Sequence, residues 1–247
     1  ARKMRSPSYQ ERYLWLPLQA TGGLADGNNH VGDINLDPET SHQLELGLDW
    51  GNGRGYVSPR IFYREVDDYI QGTPASDATV IMVSSMGGDA TPLQYSNVDA
   101  RLWGLDAGWG LTLNNHWQLD GVISYVRGER EDTDDDLHRI APPNLRVGLT
   151  HRRDNWSATL EGVAYARQDD VSATNGETET GGYGLINLSG EYRLGRDTRV
   201  LAGVDNLLDR SYREHLNGYN RAVNPDIALG ERLPGAGRNL YVSLSHR

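Results

Sequence analysis

Ten stretches of the chain largely alternate apolar and polar residues with a period of two. In Leu44-Glu45-Leu46-Gly47-Leu48-Asp49-Trp50, Leu44, Leu46, Leu48 and Trp50 share one face, and Glu45, Gly47 and Asp49 share the other. Successive β side chains point to opposite faces, so this strand is oily on one side and wet on the other. The pattern predicts strands over 10–19, 43–50, 55–71, 94–113, 116–128, 144–152, 155–168, 183–194, 198–207 and 238–246. The gaps alternate in length. Those near 51–54, 114–115, 153–154 and 195–197 are short and rich in Gly, Asn and Asp, which suit tight hairpins. Those over 20–42, 72–93, 129–143, 169–182 and 208–237 are long. Short turns at one end and long loops at the other predict an all-β, antiparallel up-and-down transmembrane barrel, with the long loops outward and the short turns in the periplasm.

The two faces agree with that reading. In 144–152, Leu145, Val147 and Leu149 oppose Asn144, Arg146, Gly148 and Thr150. In 183–194, Ile186, Leu188, Tyr192 and Leu194 oppose Asn187, Ser189, Glu191 and Arg193. Trp50, Trp109, Trp117, Trp156 and Tyr192 all fall on the oily face close to a short turn, where an aromatic girdle belongs. The oily set (Leu46, Leu48, Trp103, Leu105, Trp109, Leu145, Val147, Leu149, Leu160 and Leu188) should point away from the barrel interior.

Composition narrows the class. The mean hydropathy is −0.62, and no run of about 18 apolar residues exists, which excludes membrane-spanning helices but not a barrel. Cysteine is absent, which rules out disulfides and thiolate metal sites. A net charge of −10 argues against nucleic acid as a partner. The first four long loops hold sixteen acids and two arginines, and the fifth is balanced with four of each. Acids gathered at the outward end could bridge to lipopolysaccharide through divalent cations or attract a cationic ligand. Ala1-Arg2-Lys3-Met4-Arg5 lacks the apolar core of a signal peptide, and we expect the chain to begin within a longer protein.

Two segments carry a family resemblance. Gly203-Val204-Asp205-Asn206-Leu207-Leu208-Asp209-Arg210-Ser211-Tyr212-Arg213-Glu214-His215-Leu216-Asn217 resembles the penultimate-strand motif of TonB-dependent outer-membrane receptors. Pro234-Gly235-Ala236-Gly237-Arg238-Asn239-Leu240-Tyr241-Val242-Ser243-Leu244 resembles their last strand. Tyr9-Gln10-Glu11-Arg12-Tyr13, Leu36-Asp37-Pro38-Glu39, Asn97-Val98-Asp99-Ala100 and Ile140-Ala141-Pro142-Pro143 also match these barrels. The resemblance implies an energy-coupled importer in the bacterial outer membrane: a barrel of about 22 strands, an N-terminal plug, and a box that contacts TonB. We expect residues 1–247 to be the C-terminal portion of that barrel, with plug and TonB box absent from this chain. One departure is the ending Ser245-His246-Arg247, where the family usually closes on an aromatic.

The implied cargo is a metal chelate, a ferric siderophore first because that is the family's commonest cargo. The alternatives are a copper receptor of the same family, or a complete small outer-membrane pore or surface-enzyme barrel. Copper would draw on Met82 and Met86, since thioethers suit soft copper(I) and the chain has only three Met. Ile81-Met82-Val83 reads equally as a short apolar strand inside the 72–93 loop. No catalytic constellation stands out: His30, His42, His116, His138 and His151 sit at turns, loops or strand ends, without a paired nucleophile, and read as solvated. No resident cofactor is implied.

Overall fold

A computed structural model describes residues 1–16, 28–220, 222–223 and 225–246. Ten strands form one antiparallel path: β1 (Arg2–Arg5), β3 (Glu39–Gly47), β5 (Gly55–Pro74), β6 (Leu93–Thr112), β7 (Trp117–Arg130), β8 (Asn144–Arg152), β9 (Trp156–Tyr165), β10 (Tyr183–Leu194), β11 (Thr198–Asp205) and β12 (Asn239–His246). Two short pieces lie off this path. β2 (His30–Val31) pairs in parallel with β6, and β4 (Trp50–Asn52) extends the β3 hairpin against β5. The helices α1 (Tyr9–Tyr13) and α2 (Ala78–Met86) both lie in connections at the long-loop end. β5 and β6 are 20 residues long and rise well beyond the 9-residue β8.

The expected alternation of connections holds throughout, because each strand pairs with the next in antiparallel register. Among the described residues β1 pairs only with β3 and β12 only with β11, so the sheet is open. That corrects the reading of a complete small barrel: a closed pore or surface-enzyme barrel would pair its first and last strands. The sheet is part of a larger wall.

Two elements differ from the sequence reading. The strand expected over 10–19 is not there: α1 occupies Tyr9–Tyr13, while residues 17–19 lie outside the described residues. Ser8 caps α1 with a capping box to Glu11, a local hydrogen-bond pattern that overrides the alternation of Tyr9, Glu11 and Tyr13. The first strand instead falls at β1, where Arg5 reaches Glu39 of β3 at 2.6 Å. The apolar segment Ile81-Met82-Val83 is helical within α2, started by Asp77, whose carboxylate accepts from the Thr79 and Val80 N–H groups.

The oily face is continuous. One row runs across seven strands as Leu111, Leu119, Leu149, Leu160, Leu188, Val204 and Leu240, each beside the next. A second row joins Leu46, Ile61, Leu105 and Tyr125. These side chains are not gathered into a dry core. Leu46, Leu160 and Leu188 remain 59%, 48% and 41% exposed, as expected of a surface whose natural neighbour is hydrocarbon. The opposite face holds Arg60 with Asp49 at 2.7 Å, Arg146 with Glu161 at 3.6 Å, and Asn187 with Glu161 at 2.8 Å. Rings on that inner face lie flat over glycines. A Cβ at Gly104 would stand 2.5 Å from the Phe62 ring, and one at Gly203 would stand 2.4 Å from the Tyr241 ring.

The segments that carry the family resemblance fasten to one another. Asn206, buried and with φ 49°, donates from Nδ2 to the carbonyls of Arg210 and Ala236, and its Oδ1 accepts from the Arg210 N–H. Asp209 Oδ1 accepts from the Arg238 N–H at 2.8 Å. The Asn-Leu-x-Asp turn after β11 is thereby pinned to the Gly-Arg start of β12. Asn97 works the same way further back. It donates to the Asp37 and Asp68 carbonyls and accepts from the Asp37 N–H, holding the bulge between Val66 and Tyr69.

Candidate functional site at the long-loop end

The long connections form a layer held by a few polar hubs. Asn175, almost fully buried, accepts at Oδ1 from Gln71 Nε2 (3.1 Å) and at its carbonyl from Asn28 Nδ2 (2.8 Å). The 166–182 loop is thus strapped onto β5 and the segment before β2. Asp135 accepts from the N–H groups of Ala173 and Thr174 and from Ser172 Oγ, tying the 131–143 loop to the same strap. These bonds outweigh the cost of burial and hold the Asp135 carboxyl below the usual range.

Glu177 is the central hub. Its carboxylate accepts from the Ser172 and Arg139 N–H groups and from His215 Nε2 at 3.0 Å, and His138 Nδ1 stands 3.5 Å away. Burial by itself would raise this carboxyl. The hydrogen bonds from His138, His215 and Ser172 win, and it lies well below the ordinary carboxylate range. His215 is enclosed, with Thr180 Oγ1 at 3.0 Å from its Nδ1. His30 is also buried, its ring 5.3 Å from that of Tyr95. The sequence reading of solvated loop histidines is corrected for His30 here, and His215 behaves likewise. They are structural, and their neighbours are distant in sequence: Tyr95 of β6 for His30, and Glu177 and Thr180 of the 166–182 loop for His215.

Beside this hub opens a cavity of 530 Å³, with Tyr183, Tyr212, Tyr219, Arg210, Arg213 and Arg232 among its walls. Tyr165, Tyr183 and Tyr212 make a ladder of rings, with centroids 4.9 and 4.5 Å apart. Gly235 allows Tyr212 to close against the last loop, since a Cβ there would fall 2.2 Å from the ring. Burial pushes the Tyr212 hydroxyl up, so it stays a neutral donor. Arg232 is committed to structure: it donates to the His215, Asn217 and Thr178 carbonyls and lies 4.7 Å over the Tyr219 ring. Arg213 pairs with Glu231. Arg210 forms no side-chain hydrogen bond or ion pair among the described residues, which leaves its guanidinium available to an anion. Sequence reasoning places Arg210, Tyr212 and Arg213 in the family motif without a binding role and does not single out Tyr183, Tyr219 or Arg232; the one further signal is the density of tyrosine and arginine after Tyr183 and Asn206.

Met82 and Met86 stand one helical turn apart on α2, hence on one face, and are 58% and 84% exposed. Among the described residues no group of three or more His, Asp or Glu is placed to hold a metal ion.

An open antiparallel sheet with an oily outer face, a polar inner face and a hydrogen-bonded loop layer at one end is the wall of a large transmembrane β-barrel. The chain belongs to the TonB dependent receptor-like β-barrel family, which it matches over residues 1–207. It is 26% identical over 207 residues to the iron-regulated outer membrane virulence protein of Vibrio cholerae serotype O1, covering 80% of this chain and 31% of that protein. It is 29% identical over 212 residues to the ferric enterobactin receptor PirA of Pseudomonas aeruginosa, covering 80% of this chain and 27% of that one. Among solved structures it superposes on the copper transporter OprC with a TM-score of 0.83 at 25% identity, over 99% of this chain and 35% of the other. The chain therefore spans about a third of the length of the curated relatives it matches. The family consists of transport receptors.

Proposed function

We propose that this chain is the C-terminal wall of a receptor in the bacterial outer membrane that imports a metal chelate, with energy delivered through TonB. The plug and the TonB-contacting box belong to the remainder of the protein. The acidic outward loops meet lipopolysaccharide, and the oily face meets lipid. The observation that carries this reading is the family match over residues 1–207 on a wall whose loop end opens a cavity lined by tyrosine and arginine. The cargo is a ferric siderophore, in line with the iron and enterobactin receptors among its relatives. Tyrosine rings and a free guanidinium suit an anionic, aromatic iron chelate. The test is uptake of labelled ferric chelate by cells that carry the full-length receptor as their sole route. Uptake should require TonB and fall several-fold with Arg210→Gln. Uptake that persists without TonB would overturn the reading.

Copper is the second reading, favoured by the superposition on a copper transporter and by the two exposed thioethers of α2. Copper uptake by the full-length receptor, lost in a Met82→Ala and Met86→Ala double variant that still assembles, would establish it. Unchanged copper uptake in that variant removes the two Met from the site.

A further inference from the structure

Arg210 is the cavity arginine whose side chain has no partner among the described residues, and its main chain is held in an unusual way. Asn206 stands four residues earlier, buried, with φ 49°. Its amide takes both polar groups of the Arg210 main chain. Oδ1 accepts from the N–H at 2.8 Å, and Nδ2 donates to the carbonyl at 2.9 Å. One side chain thus does for Arg210 what a neighbouring strand does in a ladder, where a single partner exchanges both bonds. Nδ2 also reaches the Ala236 carbonyl at 3.2 Å. Turning the amide over would set its oxygen against two carbonyls, so the clamp has one orientation.

The clamp is rooted in the wall. The Asn206 N–H donates to Asn187 Oδ1 at 2.9 Å, and Asn187 Nδ2 donates at 2.8 Å to Glu161, the residue opposite it on β9. The Leu207 N–H donates to the Ile186 carbonyl of β10, and the Asp209 N–H returns to the Asn206 carbonyl, both at 2.8 Å. The main chain of Arg210 is therefore tied to β9 and β10. The other two cavity arginines are spent on the loops themselves: Arg232 on the Thr178, His215 and Asn217 carbonyls, and Arg213 on Glu231. The cation left free is the one whose backbone the rigid wall fixes.

We propose that Asn206 is a positioning residue for the cargo: by fixing the main chain of Arg210 it aims the unpaired guanidinium at an anionic group of the chelate before the chelate arrives. The proposal rests on the reading of this cavity as the chelate's contact. A side chain on a backbone already fixed has less freedom to lose when it binds. The clamp touches only main-chain atoms of residue 210, so it would hold any side chain there equally. What gives it a part in binding is that an arginine without a partner stands at that position.

The test measures binding of ferric enterobactin to the full-length receptor purified from the outer membrane, so that unassembled chain does not enter. Arg210→Gln should raise the dissociation constant about tenfold, the loss of one charge-assisted hydrogen bond. Asn206→Gly accepts the left-handed backbone but deletes the clamp, and should raise it about fivefold. Asn206→Asp keeps the shape and the acceptor, loses both donors, and should give a smaller rise. Combining Asn206→Gly with Arg210→Gln should leave the constant near the value for Arg210→Gln alone, because the clamp then has no guanidinium to aim. Independent effects would multiply to about fiftyfold. A merely structural Asn206 changes how much receptor assembles and leaves the constant of assembled receptor alone. Unchanged affinity in both Asn206 variants, or multiplication in the double variant, overturns the positioning role. Unchanged affinity in Arg210→Gln instead removes the cavity as the chelate's contact, and the positioning role with it.

Discussion

The wall and the loop layer of this molecule are held together in opposite ways. In the wall the contribution of each residue is small and repeated: a backbone ladder, one apolar contact with the neighbouring strand, and a medium that rewards oil on one face. In the loop layer a few buried polar side chains carry whole loops. Glu177 alone joins the 131–143, 166–182 and 206–238 connections through Arg139, Ser172 and His215. The wall should therefore tolerate many substitutions of like polarity, and the layer should fail at single positions.

The sharpest test of that contrast is Glu177→Ala. It leaves buried donors on three loops unmatched and should cost about 3–5 kcal/mol of local stability. Amide exchange in 131–143 and 166–182 of the full-length receptor should rise steeply, while β8–β11 stay protected. In the wall, Val147→Arg puts a charge at mid-strand on the oily face and should cost about 2–4 kcal/mol, read as lost barrel assembly. Val147→Leu should do nothing measurable. Were Val147→Arg harmless and Val147→Leu damaging, the oily face would be a packed core. Asn206→Ala should cost about 1–3 kcal/mol and loosen the start of β12, since it removes the ties to Arg210 and Ala236.

Acid gives a subtler comparison. A carboxyl held below its unfolded value contributes stability above that value and loses it as pH falls through the folded one. The Glu177 tie should therefore survive acidification through the ordinary carboxylate range, about pH 4, and release only below it. Exchange in 166–182, corrected for the intrinsic rate, should be flat from neutrality down to that point. The smallest effect expected is on sidedness. A single cysteine at Asp134 should label on intact cells, and one at Asn52 or Asn114 should not. Asn175, in an equally outward loop, should label poorly because it is buried in the strap.

The wall was legible because its physics is periodic. The strand bounds read from alternation at 94–113, 144–152 and 183–194 fall within a residue of β6, β8 and β10. The loop layer was not, because its hubs are partners distant in sequence. Nothing near Asn175 announces Gln71, and nothing near Glu177 announces His215. The failures at 10–19 and 81–83 have one cause: Ser8 with Glu11, and Asp77, start helices through local capping that a two-residue period does not register. The motifs at 203–217 and 234–244 identified the family because they are a fastening between a turn and the last strand, and that fastening is indifferent to cargo. The cavity at Tyr183 and Tyr212 is assembled by rings from different strands and loops, so its position could not be read before the fold.

The length of β5 and β6 sets how far from the lipid this protein works. Twenty residues at about 3.3 Å each and a tilt near 40° climb roughly 50 Å, twice the apolar band of about 25 Å. β8, with nine residues, climbs about 23 Å and ends near the band's rim. The sheet is thus tallest at β5 and β6 and falls away on both sides, to β3 and β1 on one and to β7 and β8 on the other. At physiological ionic strength a charge is felt over about 8 Å, so Asp77 and Asp89, in the connection above β5 and β6, leave the lipid headgroups below largely outside their field. The outward end therefore meets solvent first at the tops of β5 and β6.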